Sequence, residues 1–245
     1  MVALKASLAV LRSFLFGSRR RSLFGVWLIF VILLLLVQII AGSVNNRVTN
    51  ISTFLCAFST LLFWSFRTPL TSLVSRWGAS PRTKFILIGS AGAIWVETLF
   101  WSVERVFGIT GVAANPNLAI DLLATMPWYV LMIALLWRVQ TTYRYTLLEL
   151  LLLGGIYELG ADGIFGAVLH GMVSLETFPL VVLIIPQFIM VYSFMILPSS
   201  YMLKPEMEKR VRKEPKGNVR RLIFGLLPLL GLIPYIVLFV LIFSH

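Results

Sequence analysis

Seven stretches of this chain are apolar for about twenty residues each, the length a helix needs to cross roughly 30 Å of hydrocarbon. They cover residues 23–42, 51–74, 85–108, 119–137, 147–169, 178–198 and 222–243. Few features constrain a fold more, because a backbone group in lipid must find its hydrogen-bond partner inside the protein. The runs are long and continuous, without the two-residue alternation of an outer-membrane strand, which favours helices over a barrel. The expected class is all-α: a polytopic membrane protein built as a bundle of about seven transmembrane helices. Residues 1–245 read as a single integral membrane domain, since seven spans and short loops use the whole length. With 59% hydrophobic and 13% charged residues, against about 25% charged in soluble domains, composition agrees.

Basic residues set the expected orientation. With the N-terminus in the cytoplasm and the spans alternating, the inner segments hold Lys5, Arg12, Arg19, Arg20, Arg21, Arg76, Arg82, Lys84, Arg138 and Arg144. They also hold all eight basic residues of 199–221. Outer loops hold Arg47 alone, and Arg67 and Arg105 fall within or at the ends of helices. Lysine and arginine concentrate on the cytoplasmic side of membrane proteins, so this bias predicts an external C-terminus and a multi-pass protein of the plasma (cytoplasmic) membrane. Arg19 to Arg21 precede a run longer than the 7–15 residues of a cleavable signal, so the first span reads as a retained anchor.

The net charge of +11 therefore belongs to loops beside the bilayer and implies no nucleic-acid partner. The basic loop 199–221 is expected in the cytoplasm, where it anchors the flanking helices and attracts anionic lipid headgroups. Cys56, the only cysteine, lies inside an apolar run. It has no internal disulfide partner and reads as a small core residue.

Function is sought where the apolar pattern is broken. Glu97, Glu104, Asp121, Glu158 and Asp162 lie inside or at the ends of the spans. On insertion scales an aspartate at a helix centre costs about 2.5–3.5 kcal/mol, and such residues face the bundle interior or a water-filled cavity. Counting in fours along the fifth run gives Gly154, Glu158, Asp162, Gly166 and His170, one helix face carrying two carboxylates and an imidazole. The third run carries Ser90, Ala93, Glu97, Trp101 and Glu104 at helical spacing. Glu97 lies about 18 Å from the inner end of its helix, a depth that Glu158 matches on the fifth, so both are expected to reach one cavity. Asp121 follows Asn115-Pro116-Asn117-Leu118, and Pro127 in the same run removes the donor for the Leu123 carbonyl. Glu104 and Arg105 are expected near the outer interface, ion-paired locally or solvated. Arg67 is expected to snorkel to the inner surface or to pair with Glu149.

Several chemistries are excluded. No H-E-x-x-H, P-loop, nucleophile elbow or dinucleotide-binding glycine pattern occurs. All six lysines fall in segments assigned to the cytoplasm, so no retinal Schiff base is expected. His170 and His245 are the only histidines, which leaves carboxylate oxygens as the main metal ligands. Glu97, Glu158, Asp162 and His170 would suit a hard divalent cation such as Mg²⁺, Ca²⁺ or Mn²⁺.

The leading expectation is a transporter or channel-like protein for a cation or a proton-coupled solute. Glu97 and Glu158 form its centre, Asp162 is their partner, and Asp121 with Glu104 forms the outer vestibule. An intramembrane enzyme acting on a lipid or isoprenoid is the alternative. A third reading is a non-catalytic subunit whose acids pair with another membrane chain, or with a second copy.

Overall fold

The structure is a computed structural model, and it describes residues 19–161, 178–211 and 218–233. Among the described residues all regular structure is helical: α1 (Arg19–Ala41), α2 (Val44–Arg76), α3 (Pro81–Phe107), α4 (Leu118–Thr142), α5 (Leu147–Ala161), α6 (Phe178–Met202), α7 (Lys204–Glu208), α8 (Asn218–Gly225) and a 3₁₀ turn at Leu227–Gly231. Five of these helices, α1, α2, α3, α4 and α6, are long and apolar enough to span a membrane. The expected fifth span begins as α5, and the remainder of it lies outside the described residues.

Local sequence explains where the helices start. Ser43 caps α2 by accepting from the Asn46 N–H at 3.3 Å. Ser80 caps α3 the same way for Thr83 at 3.1 Å, with Pro81 at the first helical position, where its missing donor costs nothing. Asn117 caps α4 through Ala119 and Ile120. Thr146 and Glu149 form a reciprocal capping box on α5, with Thr146 N–H to Glu149 Oε2 at 2.8 Å and Glu149 N–H to Thr146 Oγ1 at 3.3 Å. The cap at Ser43 starts α2 well before residue 51, the start expected from hydropathy. The polar turn that follows Ser43 is too hydrophilic to extend an apolar run, yet Asn50 is buried and amide-bonded on both sides.

Helix α6 is the axis of the bundle. It packs against α1, α2, α3 and α5, and α4 packs beside α3. Of its apolar window, 72% is buried, against 17–39% in the other four candidate spans, so α6 meets mainly protein while those four turn most of that window outward. Glycines permit the closest approaches. A Cβ on Gly92 would stand 2.7 Å from Met195 Cα and 2.9 Å from the Phe194 carbonyl oxygen. One on Gly154 would meet Ile196 Cδ1 at 2.7 Å. Gly154, at the inner end of the stripe read along the fifth run, is thus a packing contact with α6.

Neutral polar side chains join the helices across the bundle. Thr60 of α2 and Ser193 of α6 share a bond of 2.7 Å, Trp95 Nε1 of α3 donates to Ser59 of α2 at 3.0 Å, and Gln140 of α4 donates to Ser200 of α6 at 2.9 Å. Lys84 reaches back to the Val74 carbonyl at 2.9 Å, bracing the α2–α3 turn.

The stretch from 222 does not begin as one uninterrupted helix. Pro228 has no N–H, so the Phe224 carbonyl loses its helical donor, and the chain tightens into 3₁₀ geometry with Leu229 N–H on the Leu226 carbonyl at 3.0 Å. That switch also releases the Gly225 carbonyl, which accepts from the Tyr157 hydroxyl of α5. The 3₁₀ turn packs on α4.

Arg67 does not pair with Glu149. Its guanidinium lies 4.8 Å from the Trp64 ring centroid and donates to the Trp64 carbonyl, a local arrangement that needs no partner helix. Glu149 instead holds Arg221, which also donates to the Arg144 carbonyl at 3.0 Å, while Tyr145 donates to the Arg221 carbonyl at 2.7 Å. These contacts gather the α4–α5 connection and the end of the basic loop at one end of the bundle.

Candidate functional site

A cavity of about 510 Å³ opens at the other end. Its wall includes Asn45 and Thr49 from the start of α2 and Gly111, Val112 and Ala114 from the α3–α4 loop, which places it away from the basic segments. Glu97 of α3 and Glu158 of α5 both line it, each only 9% exposed. The depths matched along the two helices therefore correspond to one shared space.

Around the carboxylates the helices place hydroxyls. Tyr129 of α4 donates to Glu97 Oε1. Its ring meets Tyr192 of α6 edge to face, with centroids 5.9 Å apart. The Tyr192 hydroxyl stands beside Glu158, Trp128 and Tyr129. Neither Tyr192 Oη nor Trp128 Nε1 has an aligned hydrogen-bond partner, although both are buried. On the other side of Glu97 lies Asp121, whose carboxyl is within hydrogen-bonding range of it. Asp121 Oδ1 accepts the Asn115 N–H at 2.9 Å, while Oδ2 has no N–H or O–H donor. Polar groups thus run from Asp121 through Glu97, Tyr129 and Tyr192 to Glu158, supplied by four helices.

The opposite wall carries amides and hydroxyls. Gln187 of α6 lines the cavity and donates to Asn50 Oδ1 at 3.2 Å, and Asn50 donates to Gln38 of α1 at 2.9 Å. Thr49, Thr53 and Thr125 add hydroxyls, while Phe100, Trp128, Tyr129 and Phe188 supply aromatic faces. No lysine, arginine or histidine occurs among the described residues of the lining.

The remaining predicted residues go elsewhere. Glu104 is 3% exposed and accepts the Ala113 N–H at 2.8 Å. Neither Glu104 nor Asp121 is part of the cavity wall; their carboxyls hold the loop that roofs it. Arg105 does not ion-pair with Glu104: among the described residues the ion pairs are Lys204–Glu208 and Arg221–Glu149. Arg105 stacks 5.4 Å from the Trp101 ring centroid and donates to the Pro116 carbonyl, which also accepts Trp101 Nε1 at 2.9 Å. Loop geometry explains this division. Gly108 and Gly111 adopt positive φ, which turns the chain so that backbone N–H groups point back at the carboxylates. Asp162 and His170 lie outside the described residues. Among the described residues no three carboxylate, thiol or imidazole groups converge as a metal centre.

Tyr129, Tyr192, Gln187 and Asn50 went unread in the sequence. Neutral polar residues are common enough in apolar runs that spacing alone does not single them out. The one available signal was Tyr192, ten residues before the end of α6, the span whose apolar window is 72% buried.

The chain matches no family model, no curated protein and no solved structure. Site geometry alone therefore informs the functional reading.

Proposed function

We propose that the protein is a multi-pass transporter or channel-like protein that takes a cation, or a proton-coupled solute, into the cavity between α3 and α5. A single observation carries the reading: Glu97 and Glu158, from separate helices, line one cavity, with Tyr129 bonded to the first and the Tyr192 hydroxyl beside the second. Carboxylates in a low-dielectric site attract positive charge strongly. The Tyr129 and Tyr192 hydroxyls standing near the two acids offer stepping points for a proton, and Asp121 beside Glu97 can take it up when the cation leaves. In this reading the chain has seven spans in the plasma membrane with a cytoplasmic N-terminus and an external C-terminus, and the cavity faces outward. The basic bias of the inner segments supports that orientation. The loop 199–221 would then rest against anionic headgroups of the inner leaflet.

The test is reconstitution of the full chain into vesicles carrying a pH-sensitive dye, with proton movement followed under an imposed membrane potential and with Na⁺, K⁺ or Mg²⁺ gradients. The expected result is flux that falls to the level of empty vesicles in Glu97→Gln and Glu158→Gln, with both variants still inserted and monodisperse. Full flux in Glu158→Gln would remove the reading.

A further inference from the structure

We propose that the ligand of this cavity is an organic ammonium ion with a ring-sized apolar body, held by its charge between Glu97 and Glu158. The proposal deepens the cation-site reading above and rests on it. Three features of the wall point to this class.

The first is size. At about 510 Å³ the cavity lies within the roughly 300–1,000 Å³ typical of small-molecule sites. A bare divalent ion would need several oxygens converging at about 2.0–2.6 Å, whereas among the described residues no three metal-ligating groups converge.

The second is the aromatic lining. Phe100, Trp128 and Phe188 reach the cavity alongside the two acids. An ammonium group gains from a carboxylate and from an aromatic face together, and a hydrated metal ion uses such faces poorly. The alkyl or aryl body of an amine would cover apolar wall that water wets badly.

The third is the distribution of polarity. Acids lie on the α3 and α5 side and Gln187 on the α6 side. Gln187 has its amide nitrogen committed to Asn50, which leaves its carbonyl oxygen as an acceptor. A ligand with N–H donors at one end meets acceptors on both sides. An anionic ligand would meet no basic side chain among the described lining residues.

The experiment is calorimetric titration of the purified full chain with phenethylammonium chloride, against its uncharged counterpart phenethyl alcohol, and with NaCl, KCl or MgCl₂ as competitors. Saturable amine binding is expected, weaker by about tenfold or more for the alcohol and in Glu158→Gln, and weakened in Phe188→Leu. Inorganic cations should compete poorly. Equal binding of alcohol and amine would overturn the proposal, because charge would then play no part. Binding of Na⁺, K⁺ or Mg²⁺ without amine binding would overturn the ammonium class and leave the cation site standing. Failure of every cation to bind, with vesicles that show no flux, would remove both. Should Glu158→Gln fail to fold, the comparison of amine with alcohol on the unaltered protein still decides.

Discussion

The Tyr129 hydroxyl on α4 donates to Glu97 Oε1 on α3, joining two neighbouring spans at the buried wall of the cavity. This bond orients the Glu97 carboxyl, and it is the first link between Glu97 and the Tyr192 hydroxyl beside Glu158. Hydrogen bonds to charged groups contribute about 1.5–3 kcal/mol in water-soluble proteins, whereas side-chain bonds between membrane helices average about 0.6 kcal/mol. Tyr129→Phe is therefore expected to lower stability by about 1–2 kcal/mol, measured by reversible unfolding in mixed micelles. The same variant should slow proton movement in vesicles while leaving the protein inserted. Unaltered proton movement would show that the hydroxyl serves packing alone.

Gly92 and Gly78 make a matched pair. Added to Gly92, a methyl group meets Met195 Cα and the Phe194 carbonyl, backbone atoms that cannot step aside, whereas at Gly78 it meets nothing within 4 Å. Gly92→Ala should destabilise the bundle by about 1–3 kcal/mol through forced separation of α3 and α6. Gly78→Ala should have almost no effect. Thermal unfolding of both variants in one detergent measures the contrast.

The two ends of the bundle should label from opposite sides. In a Cys56→Ala background, Ala114→Cys lies in the exposed roof loop and Gly78→Cys in the exposed α2–α3 turn. A membrane-impermeant maleimide added to intact cells is expected to modify the first and spare the second. After permeabilisation both should react. The reverse pattern would invert the proposed orientation.

Stability should fall in strongly alkaline solution through Tyr145. Burial pushes this phenol up to about 12 from an ordinary 10.0, against the opposing influence of the Arg221 guanidinium. The folded state then holds a proton that the unfolded state releases between those values. Its stabilising contribution is complete below about pH 10 and disappears as pH rises through about 12. Tyr145→Phe should flatten the pH dependence in that window, as followed by circular dichroism. It should also loosen the α4–α5 connection from Arg221, because the 2.7 Å bond to the Arg221 carbonyl is lost.

What could be read in the sequence depended on contrast. A carboxylate in an apolar run stands out, and rise per residue suffices to set Glu97 and Glu158 level. Rotation about each helix axis is another matter, since it depends on which faces fit together. Glu104 shows the difference: its position suggested a solvated rim, but the turn at Gly108 folds the next loop back, and the Ala113 N–H takes its carboxylate. Asn50 and Gln187 carry no charge to betray them, and their pairing emerges only when α2 and α6 lie side by side. Apolarity likewise revealed a seventh hydrophobic stretch without showing that Pro228 would turn its opening into 3₁₀ geometry.

The bond between Tyr157 and Gly225 sets an order of events during synthesis. Tyr157 leaves the ribosome 68 residues ahead of its acceptor, so a nascent chain exposes this phenol with its final partner still untranslated. A protein shortened before residue 222 would keep α1 to α6 and leave the Tyr157 hydroxyl without the Gly225 carbonyl. Completion of this contact thus waits for the segment around Gly225, which closes on α5 after α1 to α6 have been made.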